Sequence, residues 1–244
     1  MYCDDDKGFK KPENPHTKIW RYMDLSKYLA MLVEKCLHFT CVKKLGDPFE
    51  CSFFPFAEDI FNRISEFGKN HTKVLWEKVY KHRSSTFVNC WHVNEGESAA
   101  LWKICLKSNE GIAIQSTFEK LTESVKDCDK KVYVGTVNYG HLKSCKQKNG
   151  FRKISASDVI MTKRESFVHE AELRAVILTD PTNPSDDKGI NIKVKDLNAL
   201  IEQVLLSPES EEWILETIKK VTTDYGLNCS VEKSKLYKKP DGFF

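Results

Sequence analysis

Gly111-Ile112-Ala113-Ile114-Gln115 runs without a break into Ser116-Thr117-Phe118-Glu119. The first five residues suit a buried strand, and Ser116 followed three residues later by Glu119 is a capping box, so the stretch reads as a strand feeding directly into a helix. The same pattern recurs upstream. Lys18-Ile19-Trp20-Arg21-Tyr22-Met23 alternates like a short strand, and Asp24 then stands at the N-cap of a helix whose Leu25, Tyr28, Leu29, Leu32 and Val33 share one face. Leu37 to Val42 reads as the next strand, Gly46-Asp47-Pro48 as a turn, and residues 57–82 as two mainly helical stretches broken near Gly68-Lys69-Asn70. Phe87 to Val93 is apolar enough for a strand and Ser98 to Leu106 for a short helix. Lys131 to Tyr139 alternates as a strand, residues 140–160 form a polar excursion, and Phe167 to Leu178 reads as a strand of unusual length. At the close, Leu197, Leu200, Ile201, Val204 and Leu205 share a helical face. A second helix starts at Pro208, runs through Trp213, Ile214 and Ile218, and stops at Gly226.

Together these elements predict an α+β chain with mixed or antiparallel strands, flanking helices and a helical C-terminal part. A single domain over residues 17–244 is expected, preceded by a polar flexible arm at 1–16. With 41% apolar residues, 14 Phe and 5 Trp in 244 residues, the chain has ample material for a core, which excludes wholesale disorder. The 38 Lys+Arg against 35 Asp+Glu leave a charge of +3, far from the excess that marks long nucleic-acid tracts or acidic membranes as partners. No apolar run suffices to span a membrane, and the acidic opening Met1-Tyr2-Cys3-Asp4-Asp5-Asp6 is unlike a signal peptide, so a soluble cytoplasmic or nuclear protein is expected. The 9 cysteines are odd in number and lack Cys-x-x-Cys spacing, which points to reduced thiols and away from a zinc ribbon; no metal is expected.

Phe167-Val168-His169-Glu170-Ala171-Glu172-Leu173-Arg174 carries the most chemistry. A strand's two-residue period puts Glu170, Glu172 and Arg174 on one face, where they form either part of a cleft or a surface ladder neutralised by Arg174, Lys163 and Arg164. In Trp20-Arg21-Tyr22 the arginine has the planar fork that grips phosphate and the rings offer stacking surfaces; alternatively the rings pack inward and Arg21 faces solvent. Gln115-Ser116-Thr117, where strand becomes helix, could present hydroxyls and helix amides to an anion, although a cap explains the same residues. Cys90-Trp91-His92 sets a thiol and an imidazole side by side, with no marked partner to orient His92. Lys143, Lys146, Lys148, Arg152 and Lys153, and Lys233, Lys235, Lys238 and Lys239, form two modest basic stretches that suit solvated loops.

Trp20-Arg21-Tyr22, Asp47-Pro48-Phe49-Glu50, Cys90-Trp91-His92 with Glu97-Ser98 and Leu101-Trp102, Gly111-Ile112-Ala113-Ile114 and Glu170-Ala171-Glu172-Leu173-Arg174, read in order, resemble a widespread family known as domain of unknown function twenty-nine seventy-one. The resemblance covers about residues 18–236; where many members continue Ser-His-Tyr after the Leu-Trp pair, Lys103, Ile104 and Cys105 follow here. An arginine on the first strand, Ser-Thr ending a middle strand and Glu-x-Glu on a later one is also similar to Arg-Ser-Glu ADP-ribosyltransferases. That likeness implies an ADP-ribosyltransferase-like fold and a transferase that takes NAD as co-substrate, with an unknown acceptor, nucleic acid or protein. It implies that Arg21 binds the NAD diphosphate, that Ser116 or Thr117 supports the nicotinamide ribose, and that Trp20 or Tyr22 stacks on a cofactor ring. Glu172 would be the catalytic acid and Glu170 would position the acceptor. Only two small hydroxyl residues precede Phe118 where three are usual, and about fifty residues separate them from Glu172. Two other readings compete: a non-catalytic ligand-binding or signalling module on the same scaffold, and a hydrolase or nuclease using Glu170, Glu172 and His92.

Overall fold

The structure is a computed structural model, in which residues 1–3, 8–51, 77, 80–140, 146–147, 150–151, 155–182 and 189–240 are described. In chain order the elements are β1 (Lys18–Asp24), α1 (Leu25–Glu34), β2 (Cys36–Cys41), β3 (Thr86–Val93), α2 (Ala99–Cys105), β4 (Gly111–Thr117), α3 (Phe118–Ser124), β5 (Val132–Thr136) and β6 (Asn138–Tyr139). There follow β7 (Lys146–Gln147), β8 (Gly150–Phe151), α4 (Ala156–Ile160), β9 (Thr162–Lys163), β10 (Glu172–Leu178), β11 (Ile190–Lys193), α5 (Leu197–Leu200), β12 (Gln203–Leu206), α6 (Glu212–Asp224) and β13 (Ser230–Lys233). Most of the helical region expected over 57–82 lies outside the described residues, as do Lys143, Lys148, Arg152 and Lys153 of the first basic stretch.

The architecture is α+β with both parallel and antiparallel strand pairs. The chain divides into two compact units, the first made of Met1–Pro12, His38–Cys90 and Asp129–Asn191, the second of Glu13–Leu37, Trp91–Cys128 and Ile192–Phe244. In the second unit β1 pairs antiparallel with β4 over its whole length, from Lys18 opposite Thr117 to Asp24 opposite Gly111. β12 lies antiparallel on the other side of β4, and β13 lies parallel to β12, with α6 between them in sequence as the crossover that a parallel pair requires. Trp20, Tyr22, Leu101, Trp102, Ala113 and Leu205 pack together in this unit, while Tyr28 of α1 shares a buried 2.8 Å hydrogen bond with Thr222 of α6. In the first unit β2 pairs antiparallel with β3, and β10 pairs with β3 and, antiparallel, with β5. Its core gathers Phe9, Val42, Cys51, Val88, Val137, Ile160, Met161 and Val176.

Several expectations need correction. The opening residues are not simply a polar arm: Phe9 is buried with its ring 5.0 Å from that of Tyr133, and the Val132 amide donates to the Met1 carbonyl at 2.9 Å. The long strand expected from Phe167 is short, because residues Glu165–Glu170 coil into a 3₁₀ helix, Ala171 turns left-handed at φ 38°, and β10 begins at Glu172. The helix expected through Leu205 ends at Leu200; Val204, Leu205 and Leu206 are buried in β12, where β4 and β13 satisfy the backbone on both edges. Helical spacing and a doubly buried strand look alike over so short an apolar run. On α1 the buried residues are Tyr28, Met31 and Leu32, whereas Val33 is exposed.

Candidate functional site

Arg174, in the first unit, is fully buried among carboxylates. Its Nε donates to Glu172 Oε1 at 2.7 Å and its Nη2 to Glu172 Oε2 at 2.8 Å, a two-pronged grip, while Nη2 also reaches Glu50 Oε1 at 2.7 Å and Nη1 the Ile160 carbonyl at 2.6 Å. Lys163, on β9, brings its ammonium 3.3 Å from Glu50 Oε2 and 3.3 Å from Glu172 Oε2, and hydrogen-bonds Glu170 Oε2. The Glu172 amide donates to the Tyr139 hydroxyl at 2.8 Å. Burial alone would raise the Glu172 carboxyl, but the Arg174 charge and hydrogen bonds, helped by Lys163 and the Cys90 thiol, reverse this and hold it at about 2. Burial likewise works to lower Lys163, and Glu172 and Glu50 outweigh it, so the ammonium is held above its ordinary value. Among the described residues this cluster joins Glu50, Glu170 and Glu172 to the two cations Arg174 and Lys163.

The glutamates expected on one strand face are therefore joined through Lys163, but not by strand periodicity: Glu170 ends the 3₁₀ helix and Glu172 opens β10. Neutralisation occurs in the interior, not on a surface ladder, and Arg164 takes no part in it, pairing with Asp47 at 2.9 Å and lying 4.9 Å from the Phe49 ring. Glu50, which completes the cluster, carried no role in the sequence reading; its signal was the Asp47-Pro48-Phe49-Glu50 motif, where a carboxylate two residues after proline gives no periodic clue to burial.

The remaining candidates lie in the second unit. β1 and β4 set Arg21 opposite Ile114 and Ile19 opposite Ser116, and directly paired residues share a face, so Arg21 and Ser116 are diagonal neighbours on one side of the sheet. Arg21 is half-buried; burial and the Glu34 charge push the Cys36 thiol up, and Lys193 and Arg21 only partly oppose them. Ser116 is fully buried and donates to the Leu200 carbonyl at 2.6 Å. The capping box expected at Ser116 and Glu119 does not form. β4 runs on through Thr117, whose hydroxyl accepts from the Lys120 amide at 3.2 Å and caps α3, while Glu119 pairs with His16 at 3.2 Å. Asp24 stands at the N-cap of α1 without capping it; its Oδ1 accepts from the Lys107 amide at 3.0 Å instead. Trp20 and Tyr22 pack inward. The Trp20 indole donates to the Asn94 carbonyl at 3.0 Å, and the Tyr22 hydroxyl accepts from the Ser98 amide at 2.6 Å with its ring edge-on to Trp102 at 5.1 Å. These contacts cover the rings that were expected to stack on a cofactor.

Burial and the neighbouring Glu172 charge push the Cys90 thiol well up, opposite to what a nucleophilic cysteine requires. His92 is buried with its ring 6.4 Å from Tyr22. Among the described residues no group of three or more His, Cys, Asp or Glu could hold a metal ion, and no helix is long and apolar enough to cross a membrane.

No family model matches the chain and no curated protein matches it, so the likeness to domain of unknown function twenty-nine seventy-one rests on the quoted motifs. Among solved structures, the chain is similar to Thermus sp. 2.9 DarT in complex with NAD+, at 9% identity over 93% of this chain and 98% of that one, with a TM-score of 0.41. It is similar also to Thermus sp. 2.9 DarT in complex with ADP-ribosylated ssDNA, at 11% identity over 93% and 97% of the two chains and a TM-score of 0.43. Both overlaps are long and loose.

Proposed function

We propose that this chain is an ADP-ribosyltransferase-like enzyme that consumes NAD and passes ADP-ribose to a macromolecular acceptor, nucleic acid or protein. The observation that carries the reading is the shared face of Arg21 and Ser116 on adjacent antiparallel strands, which matches the layout implied by the resemblance to Arg-Ser-Glu ADP-ribosyltransferases. A guanidinium on a rigid strand can hold a diphosphate by parallel hydrogen bonds and keep the substrate from shifting. With its hydroxyl given to Leu200, Ser116 supports the strand that carries the site more than it reaches toward ribose.

In the reaction the bond between C1′ of the ribose and the nicotinamide nitrogen breaks. Its electron pair goes to the pyridinium, which leaves as neutral nicotinamide, and positive charge develops on the ribose. The acceptor's oxygen or nitrogen then bonds to C1′ and releases its proton. A carboxylate near the developing charge lowers the barrier, as in glycoside hydrolysis, and the resemblance to Arg-Ser-Glu ADP-ribosyltransferases gives that part to Glu172 and the positioning of the acceptor to Glu170.

NAD is expected to raise the melting temperature of the wild type and to leave that of Arg21→Ala unchanged. Equal shifts in both proteins remove Arg21 from the site. A second reading, a non-catalytic binding module, is favoured by the engagement of both Glu172 oxygens with Arg174 and by the satisfied Ser116 hydroxyl; it requires NAD to bind and be recovered intact.

A further inference from the structure

Past β13, in the second unit, the chain enters a turn that sets an aromatic ring among lysines. The Ser234 amide donates to the Leu206 carbonyl at 2.9 Å and the Lys238 amide to the Lys235 carbonyl at 3.0 Å, so the turn is tied to β12 and closed on itself. Tyr237 in that turn is 46% exposed, and the Lys103 ammonium lies 6.0 Å from the centre of its ring. Tyr237 and Pro208 line two neighbouring cavities. One, of about 500 Å³, has Lys219, Lys233, Lys235 and Lys238 in its walls; Glu212, Leu215 and Lys219 recur there at helical spacing, so one face of α6 closes a side. The other, of about 270 Å³, is lined by Trp102, Lys103, Leu106 and Lys107.

Among the described residues six lysines and three glutamates, Glu209, Glu212 and Glu232, line the two cavities, and Asp241 in the stretch that follows would not cancel that excess. Lys219 is engaged by Glu216 at 2.8 Å. Lys233 and Lys235 are held loosely, at 3.8 Å from Glu212 and 3.7 Å from Glu232, in pairs open to solvent that yield readily to a stronger anion. Trp102 packs with Trp20, Tyr22 and Ala113. Tyr22 pairs with Ala113 and Arg21 with Ile114, so strand alternation puts this aromatic end on the sheet face opposite Arg21.

We propose that the two cavities form a binding site for a free nucleoside polyphosphate, with its phosphates over Lys233, Lys235 and Lys238 and its base against Tyr237, separate from the NAD grip assigned to Arg21. Ammonium groups on flexible stems act as compact charges that gather phosphate oxygens, and a half-exposed aromatic ring offers a face to a flat base. The volumes suit one small molecule. A strand of nucleic acid fits less well, because its backbone needs a continuous basic track and the three glutamates interrupt this one. The site goes beyond the NAD reading and stands whether or not the chain consumes NAD.

The test is calorimetric titration of the full chain with ATP, tripolyphosphate, adenosine and a short single-stranded oligonucleotide, with melting temperatures recorded for every variant. ATP is expected to bind the wild type more tightly than adenosine does, and less tightly as salt is raised. Tyr237→Ala is expected to melt with the wild type and to weaken ATP by about ten-fold while leaving tripolyphosphate unchanged. The double variant Lys235→Gln/Lys238→Gln is expected to weaken both ATP and tripolyphosphate by about ten-fold. Arg21→Ala is expected to bind ATP as the wild type does. Failure of the wild type to bind ATP at millimolar concentration, or an affinity unchanged by Tyr237→Ala, overturns the proposal. So does loss of ATP binding in Arg21→Ala, which would place the nucleotide on Arg21. An oligonucleotide held more tightly than ATP through the same residues overturns the choice of occupant. Should the double lysine variant fold poorly, Tyr237→Ala decides alone.

Discussion

At the scale of single residues, Arg174 is the group on which the buried Glu50 and Glu172 depend. Arg174→Ala would leave Glu50 and Glu172 buried against one ammonium, and breaking such a pair costs about 3–5 kcal/mol, so the denaturation midpoint is expected to fall sharply or the protein to remain unfolded. The double variant Arg174→Met/Glu172→Leu removes both charges together and is expected to recover most of that loss; a double variant no more stable than Arg174→Ala would mean that the guanidinium's packing, not its charge balance, is what matters. Ala171 gives a smaller test. Glycine adopts φ 38° without steric cost, so Ala171→Gly is expected to hold or raise stability, by up to about 1 kcal/mol in urea titration, and a clear loss would show that the methyl group packs usefully. At this scale Glu170, Glu172 and Arg174 could be picked out from sequence as groups too costly to bury unpaired. Glu50 could not, because its partners lie more than a hundred residues away and no local pattern marks it.

At the scale of elements, the junction between β4 and α3 shows what local chemistry does and does not fix. A hydroxyl residue ahead of Phe118 correctly signalled that a strand turns into a helix there. Whether Ser116 or Thr117 caps it was decided by the partner strand: pairing with β1 extends to Lys18 opposite Thr117, which holds Ser116 in the strand and leaves Thr117 to cap. Thr117→Ala is expected to cost about 1 kcal/mol through the lost cap. β12 failed to show for the opposite reason. Val204-Leu205-Leu206 is too short and too uniformly apolar to carry a period, and only the neighbouring edges of β4 and β13 make it a strand. β13 itself, Ser-Val-Glu-Lys, has so little apolar character that its pairing with β12 could not be anticipated.

At the scale of the whole molecule, the charges set a pH limit. Glu172 titrates near 4.5 ordinarily and near 2 when folded, so its contribution is complete above about pH 4.5 and disappears as pH falls toward 2. The loss is on the order of 3 kcal/mol over that window. Urea midpoints measured across it are expected to fall more steeply for the wild type than for Glu172→Gln; parallel curves would show that other carboxylates govern acid unfolding. Lys163 is held above its ordinary value, so its contribution is lost only in strongly alkaline solution. The α+β class was legible from the alternation of strand and helix signals, and the members of the buried charge cluster other than Glu50 were legible as residue types. Their pairings were not, since they depend on contacts between segments far apart in the chain.

The most direct measurement is chromatographic analysis of NAD incubated with the wild-type protein and with Arg21→Ala. The expected result is nicotinamide accumulating with an equal amount of ADP-ribose, free or attached to an acceptor, in the wild type, and little release by Arg21→Ala. Recovery of intact NAD from the wild type, or equal release by both proteins, would contradict it.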